Sequence, residues 1–142
     1  MFSAFANGGN IMQPYIVESI CETKGITYDT VSSTTPKAWK TGVIDQASLD
    51  IVVPYLQDVV DNSLNGTGRS LKVNSVQVAA KTGTAEIGND KSREISWFAG
   101  FRCGVEPEDA RLVLVMLEVP TEDQFQSLKF DIARELLKMS AP

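Results

Sequence analysis

Three strand-like runs lie close together in the second half of the chain, and they constrain the fold more than any other feature. Residues 75–86, 95–103 ("ISWFAGFRC") and 111–119 ("RLVLVMLEV") are rich in apolar, β-branched and aromatic residues. The connections, 87–94 and 104–110, are hairpin-sized and rich in Gly, Asn, Asp and Pro. Such spacing predicts an antiparallel three-strand meander over 75–119. The third run is apolar on both faces, as an interior strand would be.

Helical patterns flank this meander, so the fold class expected is α+β. Leu49, Val52, Val53, Leu56, Val59, Val60 and Leu64 recur at helical spacing after a start at Asp45 or Ser48. Pro54 inside that pattern should kink the helix or mark its first turn. "NGTG", 65–68, should end it. A last helix is expected over about 122–139, with Thr121 and Gln124 as a capping box. Its sheet-facing side is read as Phe125, Leu128, Ile132, Leu136 and Met139. At the other end, residues 2–6 read as a short helix stopped by a left-handed cap at Asn7-Gly8-Gly9. Residues 14–20 and 26–31 read as a hairpin turned by "ETKG", followed by a loop at 32–37.

Composition narrows the functions open to the chain. Hydrophobic residues form 43 % of its 142 residues, enough for a real core in one domain, and no segment is apolar for long enough to span a bilayer. The net charge of −5, without any basic run, argues against nucleic-acid binding. There is no histidine, which removes Ser-His-Asp and Cys-His catalysis and most zinc sites. No metal or cofactor is expected. Cys21 and Cys103 fit no metal spacing and are read as two buried thiols.

One stretch does not look like an ordinary strand. "VAAKTGTAEI", 78–87, places Lys81, Thr82, Gly83 and Thr84 in a row. On an extended backbone Lys81 points to one face, and Thr82 and Thr84 to the other. Gly83 lets another backbone approach closely. At a sheet edge this segment could take an extended peptide as an added strand, with a cation and hydroxyls for a carboxylate and an N–H for an oxyanion. The plainer alternative is an exposed edge guarded by a lysine, with threonines chosen for strand propensity. Trp97, Phe98 and Phe101 read as core, and Glu86 as an exposed edge charge.

"KTGTAEIG" followed by "SWFAGF", an apolar strand and a final helix resembles the end of a penicillin-binding protein transpeptidase domain. Lys-Thr-Gly belongs to the motif set of that superfamily, with Ser-x-x-Lys and Ser-x-Asn. "FSAFANGGNIMQPYIV" and "VVDNSLNGTGRS" resemble the pieces that precede the motif, so the similarity runs over nearly the whole chain. It implies a partial β-lactamase/transpeptidase-like fold: residues 1–142 would be one partial domain, the C-terminal portion of a class B D,D-transpeptidase domain. The meander would then supply the family's third, fourth and fifth strands.

The resemblance also implies roles. Lys81 would draw in the terminal carboxylate of a D-Ala-D-Ala stem peptide or of a β-lactam. Thr82 and Thr84 would hydrogen-bond it, and the Thr84 backbone N–H would be an oxyanion donor. Twist must carry the cleft along the strand edge if Lys81 and the threonines are to serve one ligand. The family's nucleophile is absent: no serine here has lysine three residues later, and "SLN", 63–65, matches Ser-x-Asn in letters only. Inactivity alone is therefore expected. The family's fifth strand pairs with its first, so "RLVLVMLEV" is expected at an open edge that favours an edge-strand dimer, a domain swap or a rearranged 14–31 hairpin. The parent is expected on the extracytoplasmic face of a bacterial membrane, anchored upstream. Two alternatives stand beside this reading: a serine β-lactamase or β-lactam-sensor fragment, and a non-catalytic sheet-edge peptide-binding or structural module.

Overall fold

The computed structural model describes residues 1–71, 73, 76–106, 109–121 and 127–139. Its largest sheet is the meander. Strands β5 (Gln77–Ile87), β6 (Arg93–Cys103) and β7 (Leu112–Pro120) pair antiparallel in the order β5-β6-β7. The register sets Thr82 opposite Phe98, and Phe98 opposite Val115. Gly88 and Gly104 take positive φ, +80° and +68°, in the two connections, which L side chains rarely do. Ion pairs Lys91–Glu86 (2.9 Å) and Arg93–Glu118 (2.6 Å) lie beside the first of these turns.

Strand alternation gives the sheet two unlike faces. Val78, Ala80, Phe98, Val113 and Val115 form one core with Val60, Leu71, Phe130, Ala133 and Leu137. Phe98 is fully buried, edge-on to Phe130 at 6.1 Å between centroids. Its ring lies over Gly100, where a Cβ would come within 2.6 Å of the Phe98 Cζ. Phe101 is buried on the other face, 6.2 Å from Phe2 of helix α1 (Phe2–Ala6), and Trp97 is half-buried. On β7, Val113, Val115 and Val119 are buried, whereas Leu114 and Met116 are 62 % and 55 % exposed. The strand patterned like an interior one is thus the outer strand of this sheet.

Helix α2 (Gln46–Asp61) begins where Asp45 Oδ1 accepts the Ser48 N–H at 2.7 Å, and that bond holds the Asp45 carboxyl below its ordinary pKa. Pro54 sits mid-helix without ending it. The helix stops at Asp61, so Leu64, expected on the apolar stripe, is exposed in the turn beyond. Helix α3 (Leu128–Lys138) corrects the expected packing face. Phe130, Ala133 and Leu137 are buried against the sheet, with Lys129 beside them; Ile132 is half-buried, and Leu128, Leu136 and Met139 face outward. The physical reason is that Phe130 docks on Phe98, which rotates the other stripe away. Arg102 of β6 donates to the Leu137 carbonyl at 2.7 Å, tying the last turn down. The described helix has Ser127 as its N-cap, and Thr121 donates its hydroxyl to the Lys91 carbonyl; the expected capping box needs Gln124 and so cannot be placed on the described residues. Gln124 and Phe125 lie outside the described residues.

The first third is less buried. Helix α1 is stopped by Gly8 and Gly9, which have φ +55° and +84°, while Asn7 itself has φ −122° and is not left-handed. A Cβ on Gly9 would lie 2.0 Å from the Ile44 carbonyl oxygen, so only glycine fits. Two short strands, β1 (Ile11–Met12) and β4 (Ala38–Lys40), pair across that junction. Between them β2 (Ser19–Lys24) and β3 (Thr27–Ser33) form a separate hairpin, exposed along its length. It starts later than the expected 14–20 run because Gly25, at φ +66°, places the turn at 24–27, and pairing then reaches back only to Ser19.

Candidate functional site

Residues Lys81 to Thr84 sit in the middle of β5, on a strand whose other flank carries no paired strand among the described residues. Helix α2 packs over the start of β5, where Val59 and Val60 meet Val78 and Ala80. Beyond that cover Lys81, Thr84, Ala85 and Glu86 are exposed, and Thr82 and Gly83 are half-buried. The segment is strand, and its flank is open.

The alternation problem has a direct geometric answer. Lys81 leaves β5 on the face opposite Thr82, yet its Nζ donates to the Thr82 carbonyl at 2.6 Å. The aliphatic stem therefore folds back along the strand, and the ammonium lies beside the Thr82 backbone. The Thr82 Oγ1 lies 2.8 Å from the hydroxyl of Thr67, in the loop that follows α2. Gly83 stands opposite Trp97, and a Cβ there would make ordinary contact with the Trp97 Cβ at 3.5 Å. Among the described residues nothing requires glycine at that position.

A second polar cluster lies on the buried face, one strand away. Ser96 is paired with Thr84 in register and is 1 % exposed. Lys129 of α3, 7 % exposed, donates from Nζ to Ser96 Oγ at 2.6 Å. Burial pushes the Lys129 ammonium below its ordinary pKa, and the nearby Glu94 charge opposes that shift. Glu94 Oε1 is buried without a hydrogen-bond partner among the described residues. Sequence patterning missed this cluster, because Lys129 lies on neither apolar stripe by type; the signal available was a serine and a glutamate alternating with core residues on β6. No solvent reaches Ser96, so its contact with a lysine does not make an accessible nucleophile.

The other candidates resolve simply. Ser63 to Asn65 form the turn after α2, where Asn62 Oδ1 accepts the N–H groups of Leu64 and Asn65. Cys21 is exposed on the hairpin, contrary to its reading as a buried thiol; the β2–β3 hairpin packs on no core that could cover it. Cys103 is half-buried, and burial raises its thiol pKa. Among the described residues no group of His, Cys, Asp and Glu could hold a metal ion. Among them, too, no helix is long and apolar enough to cross a membrane.

Comparison with known proteins gives the family of the chain. The family model described as the penicillin binding protein transpeptidase domain matches residues 1–138. The peptidoglycan D,D-transpeptidase PbpA of Mycolicibacterium smegmatis is 35 % identical over 115 residues, which are 80 % of this chain and 22 % of that protein. The solved D,D-transpeptidase domain of a peptidoglycan glycosyltransferase from Eggerthella lenta has 31 % identity and a TM-score of 0.69, covering 96 % of this chain and 29 % of that one. Penicillin-binding protein A from M. tuberculosis, solved as a ceftriaxone acyl-enzyme complex, shares the fold with a TM-score of 0.70 at 22 % identity, over 99 % of this chain and 31 % of that one. The chain thus spans between a fifth and a third of these relatives. Across nearly its full length, it belongs to the transpeptidase-domain family of penicillin-binding proteins.

Proposed function

We propose that this chain is the C-terminal portion of a peptidoglycan D,D-transpeptidase domain, and that its β5 flank is the cleft wall that receives a terminal carboxylate. The observation that carries the reading is the folded-back Lys81, whose ammonium reaches the Thr82 backbone on an open strand. Cation and hydroxyl then converge on one edge, where a stem-peptide or β-lactam carboxylate would gain charge-assisted hydrogen bonds. Residues two apart on a strand aim their backbone groups to the same side, so the Thr84 N–H shares the side of the Thr82 carbonyl. It is the group we assign as oxyanion donor. Gly83, unforced by the described residues around it, leaves room for a ligand backbone.

The acyl-transfer step needs a serine that this chain lacks. In the complete protein a serine Oγ would bond to the penultimate D-Ala carbonyl carbon. The terminal D-Ala would leave with its nitrogen protonated, and an acceptor amine would then displace the serine. The chain alone is expected to bind without acylating. Placement outside the cytoplasm is part of the same proposal and belongs to the parent. The open β7 edge is proposed to pair with a second copy of this chain. The transpeptidase reading is preferred over a β-lactamase or sensor because the curated relative above is a D,D-transpeptidase.

The test is an amide-resolved NMR titration of the chain with N-acetyl-D-alanyl-D-alanine. Shifts should centre on residues 81–85, fall away for the C-terminal amide of the same dipeptide, and weaken about tenfold or more in Lys81→Gln, the scale of one charge-assisted bond. Shifts centred elsewhere, or none, would refute the carboxylate wall. Labelled penicillin should leave no covalent adduct on the chain.

A further inference from the structure

The loop after α2 is built to hold one side chain still. Gly66 N–H donates to the Asn62 carbonyl at 2.9 Å, and Gly68 N–H to the Val59 carbonyl at 2.8 Å. A Cβ on Gly66 would come within 2.5 Å of the Asn62 carbonyl oxygen and 2.7 Å of that of Val59. Leu71 N–H then closes on the Gly68 carbonyl at 2.8 Å, and Leu71 is fully buried in the core. The residue between the two docked glycines is Thr67, and its exposed hydroxyl meets Thr82 Oγ1 at 2.8 Å. Because Val59 and Val60 pack on Val78 and Ala80, loop and strand form one unit.

We infer that Thr67 is a positioning residue for the carboxylate site, acting through Thr82; this rests on the carboxylate-wall reading above. Each hydroxyl has one proton and two lone pairs. Were Thr82 to donate to Thr67, its proton would be used, and an arriving carboxylate would meet lone pairs. With Thr67 donating, Thr82 keeps its proton free and turned away from Thr67, and the incoming bond polarises it further. A carboxylate therefore selects the order Thr67 to Thr82 to ligand. Thr67 touches no ligand in this scheme. It sets which way the Thr82 proton points, on a loop that its backbone hydrogen bonds tie to α2.

The experiment uses the same NMR titration with N-acetyl-D-alanyl-D-alanine. Thr67→Val keeps the shape and deletes the hydroxyl, and should weaken binding about fivefold, the scale of one neutral hydrogen bond. Thr67→Ser should restore affinity to within about twofold. In a Thr82→Val background, Thr67→Val should have no further effect. A dispersed amide spectrum for each variant confirms folding. Wild-type affinity in Thr67→Val would overturn the inference. An equal loss in both backgrounds would also overturn it, by assigning Thr67 a purely structural role. If the unsubstituted chain fails to bind, the carboxylate reading falls first and this inference with it.

Discussion

Lys129 shows how one residue can set a stability profile. It lies under α3 with its ammonium on Ser96 Oγ, and burial lowers its pKa. An unfolded lysine titrates near 10.4. Between the lowered folded value and that point, the unfolded chain holds a proton that the folded chain does not. Stability therefore rises with pH across this window; below it the cost of burying the charge is fully present, and above it that cost is gone. Urea midpoints measured from pH 7 to pH 10.5 should climb, once other groups are referenced to Lys129→Met, in which this slope disappears. At pH 7 the desolvation of the ammonium outweighs its attraction to Glu94, so Lys129→Met, which fills a similar volume without a charge, should leave the urea midpoint unchanged or raise it. Gly100 makes a different point on β6. Its missing Cβ is the space taken by the Phe98 ring, so Gly100→Ala should destabilise by about 1–3 kcal/mol in the same assay. Neither effect was legible in the sequence, since each depends on a partner brought in by packing.

At the scale of elements, the meander was legible because β-branched and aromatic residues and the glycines of hairpin-sized turns all agree there. The helix α3 was legible as a helix, but its buried side was not. Leu128, Ile132, Leu136 and Met139 repeat at helical spacing, and so do Phe130, Ala133 and Leu137. Periodicity alone cannot choose between stripes of similar hydrophobicity; the choice is made by Phe98, whose ring takes Phe130 edge-on. The expected contrast is sharp. Leu137→Ala should cost about 2–5 kcal/mol, while Leu136→Ala, one residue away, should cost less than about 1 kcal/mol, both from urea denaturation. The site divides in the same way. Lys81 to Thr84 could be named as candidates from the sequence, because they are consecutive and carry the motif on which the family resemblance rests. Thr67 could not, because fifteen residues separate it from Thr82 and only the docking of α2 on β5 brings the hydroxyls together.

The whole molecule leaves a strand half-used. Among the described residues β7 is paired only with β6, so its far flank presents unpaired N–H and C=O groups. One face of that strand is buried, while Leu112, Leu114 and Met116 are exposed on the other. The β2–β3 hairpin does not cover it: it forms its own two-stranded sheet and stays exposed throughout. Among the described residues no strand pairs with this long, mostly apolar edge, an arrangement that natural sheets avoid. Antiparallel pairing of two copies about a two-fold axis would satisfy the backbone groups and join the exposed leucines and methionines across the axis in one step. Light scattering over a concentration series should therefore show a monomer–dimer equilibrium. Leu114→Lys with Met116→Lys should shift it toward monomer by placing four like charges near the axis, while leaving the far-ultraviolet circular dichroism unchanged. A chain that stays monomeric at every concentration would mean that water satisfies this edge well enough, and the pairing proposed for β7 would be wrong.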